Sequence, residues 1–407
     1  MLIVPLSEVK AGMSLACPVS SPDQPDIVLL KAGYILDQKV IERLPAYGIE
    51  LVYVQYPGLD ELDKHLLVNL SPPRIKMFQQ MKVAMNAAQQ RSNPKIPYSD
   101  YYATTRDLIM TLLGQGQHPV FMDQISRLGG DAVAHSTSVA HLALLIGLKL
   151  ENYLIDQRKR LSAQHAREVV NLGVAGMLHD IGKMQLPAHL RNNTGVEPPD
   201  ALAQKAEWET HPRLGYEMCR NDVEPTAASA ILNHHQHFDG TGFPITQNKD
   251  GTTMRSSKER IHIFARILHA ADLYDRVSNP IKGKRRGNME VLHLMRTQYK
   301  DWVDPSVMEA VQNLCPPFPP GSVVKMSDGR TGVVVEIDGD IYLPKVRIMK
   351  PDGQLDDPAV PLKNSGIGVT HCNGIVVDPF VPADYAATGM FKQACQRQAA
   401  QAFMSRV

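Results

Sequence analysis

The chain has 407 residues, with 43 lysines and arginines against 42 aspartates and glutamates and a formal net charge of +1. That balance excludes a bulk electrostatic attraction for nucleic acid or an anionic membrane surface, so any phosphorylated ligand must be held by local charge or by metal. The five cysteines, Cys17, Cys219, Cys315, Cys372 and Cys395, are scattered and form no Cys-x-x-Cys pair, which excludes a disulfide framework and a thiolate zinc site and fits a reducing cytoplasm. The length suits two or three domains at roughly 100–200 residues each.

In chain order, the opening Met1-Leu-Ile-Val-Pro-Leu-Ser-Glu8 lacks a basic segment followed by a long apolar core, and no run reaches about 18 apolar residues. Neither a signal peptide nor a membrane span is expected, and the protein reads as cytoplasmic. Residues 1–57 mix short strand-like runs (Ile27–Leu30, Leu51–Val54) with an amphipathic turn of helix at Asp37–Leu44, the pattern of a small α+β regulatory module. Residues 58–99 are a linker and a helix; the helix is Met-rich between Arg74 and Gln90 and fits either a homodimer contact or packing on the next domain.

From 100 to 315 the periodicity is helical, with helices expected over 100–114, 119–128, 131–150, 164–180, 201–220, 224–235, 257–278 and 288–300. A Gly-, Asp- and Thr-rich loop, 236–256, interrupts them, and a long structured loop inside a helical domain is more often functional than filler. After Pro316-Pro-Phe-Pro-Pro320 the pattern changes to period two with tight turns, predicting a β-rich module over 316–383 and a helix or tail over 384–407. The fold class is mainly α, with an all-helical central domain flanked by a small α+β module and a small β-rich module.

Metal-ligating residue types recur at the ends of the expected helices. His135 is followed by His179-Asp180 within Leu178-His-Asp-Ile-Gly-Lys183, then by His211, by the adjacent pair His234-His235, and by Asp272. Asp131, four residues before His135, shares its helical face. Nitrogen and oxygen ligands without thiolates suit iron, manganese, zinc or magnesium. Asp180 is able to bridge two cations, and two divalent ions about 3.5–4 Å apart are a standard clamp for phosphodiester hydrolysis. Gly182 is placed to end its helix in a left-handed conformation, with Lys183 then set to meet a phosphate.

This succession, with Asp239-Gly-Thr-Gly-Phe-Pro244 after the paired histidines, closely resembles the HD-GYP family, a bacterial branch of the HD phosphohydrolases. The resemblance covers roughly 100–315 and, more weakly, the flanking modules. It implies a metal-dependent phosphodiesterase that opens cyclic di-GMP to linear pGpG, and sometimes continues to GMP. It implies His135, His179, Asp180, His211, His234, His235 and Asp272 as metal ligands, Asp180 as the bridging carboxylate, and Lys183 as a catalytic and substrate-phosphate contact. The Gly242-Phe-Pro244 loop resembles the Gly-Tyr-Pro signature, which shapes the site mouth or docks a diguanylate cyclase-type partner.

Three departures qualify the transfer. Phe243 replaces the signature tyrosine and loses its hydroxyl while keeping a ring for substrate contact. Asp131 stands where members with a third metal have glutamate, so two ions, iron or manganese, are preferred over three. The Arg-Pro-Tyr-Arg-like segment after Asp272 is missing, and the basic run Lys282, Lys284, Arg285 and Arg286 is either its substitute as a phosphate or guanine contact or a solvated turn. Two rival readings stand beside hydrolysis of cyclic di-GMP: the same chemistry on another cyclic dinucleotide such as a cyclic GMP-AMP, and a catalytically weak nucleotide sensor or adaptor.

Overall fold

The computed structural model describes residues 2–380 apart from 7, 22–26, 48, 50, 60–61, 63–70, 92–93, 115–131, 192–201, 248–249, 251–252, 281–285, 338, 352 and 378–379. The expected helix 119–128, Asp131, the basic residues Lys282, Lys284 and Arg285, and the tail 384–407 lie outside the described residues. The chain divides into two compact units, one built from 67–286 with 294–314, the other from 1–66, 287–293 and 315–407.

The second of these joins both ends of the chain. Strand β1 (Leu2–Pro5) pairs antiparallel with β4 (Leu51–Val54), and β2 (Val19–Ser20) with β3 (Val28–Leu30). Helix α1 (Gln38–Arg43) begins where the Asp37 carboxylate accepts the Val40 N–H at 2.8 Å, satisfying a donor that the first helical turn leaves open. The C-terminal part is a six-stranded antiparallel sheet. Its strands are β7 (Val323–Met326), β8 (Thr331–Glu336), β9 (Lys345–Ile348), β10 (Val360–Pro361), β11 (Val369–Cys372) and β12 (Ile375–Val376), in the order β10-β9-β8-β7-β11-β12. Alternation along the strands buries Val324, Met326, Val334, Val346 and Ile348 in one core with Phe318, Leu362 and Val369. The Tyr56 hydroxyl donates to the Gly353 carbonyl, and Arg347 donates to the Gly58 carbonyl at 2.7 Å, tying the two parts of this unit together.

The other unit is helical. Ser71 precedes α2 (Pro72–Gln90), whose first-turn prolines need no N–H there. Helix α3 (Tyr98–Gly114) leads to α4 (Ala132–Lys149), which is buried along nearly its whole length. By length and hydropathy α4 alone among the described helices would span a membrane, and 89% of that stretch is buried inside this unit. It packs against α2, α7 (Val170–Leu178), α12 (Ile263–Ser278) and α14 (Pro305–Leu314). The short helices α5 (Glu151–Gln157), α6 (Ala163–Ala166), α8 (Ala188–Arg191) and α9 (Leu202–Trp208) connect these, followed by α10 (His211–Cys219) and α11 (Pro225–Asn233). A two-stranded ribbon, β5 (Thr246–Gln247) with β6 (Thr253–Met254), lies within the expected loop, and α13 (Asn288–Thr297) follows α12.

The expected continuous helix 201–220 is two helices. Pro212 has no N–H for the Trp208 carbonyl four residues back, so the turn between α9 and α10 opens. Likewise 164–180 resolves into α6 and α7 followed by a 3₁₀ turn, Ile181–Gln185. These breaks, with the end of α11 at Asn233, put His179, His211 and His234 at helix ends.

Candidate metal centre

A helix end exposes carbonyls that lack an i+4 donor, and a histidine just beyond the end can fill that vacancy with its Nδ1–H. The helical unit repeats this arrangement. His179 after α7 donates to the Gly176 carbonyl at 2.8 Å, His211 at the start of α10 to Trp208 at 2.7 Å, and His234 after α11 to Ile231 at 2.7 Å. A carbonyl only accepts, so each neutral ring carries its proton on Nδ1 and presents a bare Nε2. His135, on α4, is held differently: its Nδ1 donates to Asp275 of α12 at 2.7 Å.

The Nε2 atoms converge on Asp180. Its Oδ2 lies 3.4 Å from His135 Nε2 and 3.5 Å from His179 Nε2, and its Oδ1 lies 3.3 Å from His211 Nε2 and 3.7 Å from His234 Nε2. Asp272 Oδ1 is 3.2 Å from His135 Nε2 and 3.9 Å from His179 Nε2. Two sets of donor atoms each gather within 4.8 Å, His135, His179 and Asp180 in one and Asp180, His211, His234 and His235 in the other. All seven residues of the expected ligand set are 5% exposed or less.

The electrostatics match the geometry. Burial holds the His179, His211, His234 and His235 rings below the ordinary imidazole range, which keeps them neutral. Burial opposes charge on Asp180 too, but Lys183, His179 and the neighbouring His135 and His211 outweigh it and hold the carboxyl well below its usual range. Asp272 is held down in the same way by Arg276, His135 and His235 against the cost of burial. For His135 burial also disfavours charge, and Asp180, Asp272 and Asp275 overcome it, raising its affinity for a proton well above normal.

A divalent cation fits this donor set. Asp180 Oδ1 is buried with no hydrogen-bond donor among the described residues, and the nearest groups are lone pairs on His211 and His234. A buried charged oxygen facing bare imidazole nitrogens is unfavourable unless a cation lies between them.

Further side chains close around the cluster. Lys183 is buried with its Nζ 2.6 Å from Asp180 Oδ2. Gly182 lies within the 3₁₀ turn and outside the left-handed region, contrary to the expected helix-ending role. What it needs is closeness: a Cβ there would sit 2.1 Å from the His211 carbonyl oxygen and 2.5 Å from Gly215 N. Gly242 is equally constrained, since a Cβ would meet the His235 carbonyl oxygen at 2.2 Å. That contact folds the loop back, so Phe243 N donates to His235 O at 3.0 Å and the Phe243 ring stacks on His235 with centroids 4.6 Å apart. Of the basic run, Arg286 is described and donates to the Val277 carbonyl near the end of α12.

Four participants were not singled out from the sequence. Asp275 is a buried partner of His135. Arg276 is buried with its Nη1 2.9 Å from Asp272 Oδ2 and 3.3 Å from His235 Nδ1. Trp208 packs against His211, His235 and Phe243, and His269 donates to the His234 carbonyl at 3.1 Å. The spacing 272, 275, 276 is a helical i, i+3, i+4 set and was a readable signal for the first two; Trp208 and His269 left none.

Residues 152–307 match the HD domain family model, a span that takes in His179 through Asp272. A cyclic di-GMP phosphodiesterase of Pseudomonas aeruginosa is 29% identical over 239 residues, 57% of this chain and 52% of that protein. The cyclic di-GMP phosphodiesterase response regulator RpfG of Xanthomonas campestris pv. campestris is 29% identical over 148 residues, 35% of this chain and 36% of that protein. A cyclic di-GMP phosphodiesterase of Thermotoga maritima is 29% identical over 111 residues, 26% of this chain and 27% of that protein. The chain therefore spans 52% or less of the length of these curated relatives. A solved HDG"Y"P protein from Bdellovibrio bacteriovorus aligns at TM-score 0.43 and 12% identity over 77% of this chain and 98% of that one, too distant a likeness to bear on function. In its matched domain and its curated relatives the chain is similar to HD-domain proteins and to proteins named as cyclic di-GMP phosphodiesterases.

Proposed function

We propose that the chain is a metal-dependent phosphodiesterase that hydrolyses cyclic di-GMP to linear pGpG in bacterial second-messenger signalling. The observation that carries this is Asp180, a buried carboxylate whose two oxygens each face a separate pair of imidazole Nε2 atoms. His135, His179, Asp180 and Asp272 would hold one divalent ion, and Asp180, His211, His234 and His235 the other. Iron or manganese suits these nitrogen and oxygen donors. The relatives named as cyclic di-GMP phosphodiesterases support the choice of substrate.

Bound divalent ions would supply Lewis-acid stabilisation of the phosphoryl oxygens and an activated water. The chain's own residues prepare the site for them. The three carbonyl-clamped histidines have their tautomers fixed before any ligand arrives, and Asp275 fixes the fourth ring. Lys183 and Arg276 place two fixed cations beside Asp180 and Asp272, where they offset carboxylate charge and favour an incoming phosphodiester. His235 Nδ1 accepts from the Arg276 guanidinium at 3.3 Å, which leaves the ring proton on Nε2, and His235 would join the second set in its other tautomer, with the proton on Nδ1, 3.7 Å from Asp272 Oδ2, and Nε2 bare. Phe243 stacks inward on His235 and packs beside Trp208, which supports a role for the Gly242–Pro244 loop in shaping the site over docking a partner.

The test is product analysis of manganese- and iron-loaded protein against a panel of cyclic dinucleotides. The expected result is a linear dinucleotide from cyclic di-GMP, abolished in H179A and D180A. Intact cyclic di-GMP beside hydrolysis of another panel member would move the reading to that substrate; no hydrolysis of any member by fully metal-loaded protein would favour the sensor reading.

A further inference from the structure

We propose that the indole N–H of Trp208 is a hydrogen-bond donor to a phosphoryl oxygen, in an anion subsite that Trp208 forms with Lys183 and Arg276. The identity of the ligand rests on the phosphodiesterase reading, whereas the site rests on Trp208 itself. The residue ends α9 and is 2% exposed, yet its Nε1 meets no acceptor among the described residues. A buried indole N–H ordinarily finds a partner, and one left open beside a cluster of ligand-type residues marks a place where an acceptor is expected to arrive.

Its surroundings specify the charge of that acceptor. Lys183 Nζ and Arg276 Cζ both lie 5.7 Å from the centre of the indole ring, so two fixed cations flank the same side chain. The rings of His211, His235 and Phe243 pack against Trp208 at centroid distances of 5.0, 5.3 and 5.6 Å. With its faces covered in this way, Trp208 is poorly placed to stack on a nucleobase and is left as a point donor. A compact anion fits a point donor between two cations, and the non-bridging oxygen of a phosphodiester is such an acceptor. The subsite adjoins the Asp180 cluster, because Lys183 itself is paired with Asp180 and Arg276 with Asp272.

Inorganic phosphate is the probe, titrated into the full-length manganese-loaded chain and followed by calorimetry and by tryptophan emission, which has only Trp208 and Trp302 as sources. W208F keeps a ring and removes the N–H. It should retain the wild-type metal content and melting temperature while binding phosphate about tenfold more weakly, the usual loss for a hydrogen bond to a charged group. R276Q should weaken phosphate binding as well. W208L removes ring and donor together, so a lower melting temperature in W208L but not in W208F separates packing from donation. The proposal is overturned if W208F binds phosphate as tightly as wild type, if W208F loses its metal, or if the wild type binds no phosphate. Phosphate binding that depends on Trp208, with every phosphodiester left intact, would uphold the subsite and sink the hydrolytic reading alone.

Discussion

Asp275 accepts the Nδ1–H of His135 at 2.7 Å, joining residues 140 positions apart in sequence. The bond turns the His135 ring so that its Nε2 faces Asp180 and Asp272, and a carboxylate partner makes that nitrogen a stronger ligand. D275A should therefore lose about 10–100-fold in metal affinity, measured by competition with a chelator, at unchanged helix content. D275N keeps an acceptor for the ring N–H and should lose less.

Two glycines are required by distance. G182A puts a methyl 2.1 Å from the His211 carbonyl, and G242A puts one 2.2 Å from the His235 carbonyl, both against backbone that cannot rotate away. Each substitution should cost about 1–3 kcal/mol through forced backbone shifts and reduce metal content per chain. Thermal melts read alongside metal analysis check this. Wild-type metal content in both variants would show that the backbone there yields more easily than the packing implies.

His262 supplies a pH dependence away from the cluster. Its Nδ1 accepts the Phe264 N–H at the start of α12, so it must stay neutral to cap the helix. Burial, with Arg158 and Arg266 nearby, lowers its pKa to about 4. The unfolded chain takes up that proton near pH 6.5, whereas the folded chain does not until about pH 4. The stability it contributes is therefore complete above 6.5 and drains away as pH falls toward 4. H262D places an acceptor that is anionic over most of this window at a helix N-terminus beside two arginines. It should be less acid-sensitive and about 0.5–2 kcal/mol more stable near pH 5, by urea denaturation of chelator-treated protein.

Much of this was legible from residue order. His135, His179, Asp180, His211, His234, His235 and Asp272 were singled out by type and succession, and the structure brings all seven together. The helical domain and the β-rich C-terminal segment were readable from the change of hydrophobic period near Pro316. What escaped was local and three-dimensional. The break at Trp208 is caused by Pro212, whose missing N–H frees the carbonyl that His211 then uses, and a helical hydrophobic pattern runs straight through it. Gly182 looked like a helix terminator because its sequence neighbours fit one, whereas its need is to let the His211 backbone approach. The union of the two chain ends in one unit depends on contacts such as Arg347 with Gly58, which leave no trace in spacing.

Removing metal should expose the cost of this arrangement. An ion that binds only the folded chain stabilises it by about 4 kcal/mol at a thousand times its Kd, so chelation should lower the melting temperature by about 10 °C for a unit of this size. The loss should be reversed by manganese and should be absent in D180A, which has no bridging carboxylate to serve.

The most direct measurement is metal content per chain of anaerobically purified protein, wild type against D180N. With Asp180 bridging two donor sets, the wild type should hold about two ions and D180N about none, because the amide removes the shared charge from both sets at once. A wild type that binds no more than one ion, or a D180N variant that keeps both, would contradict the account.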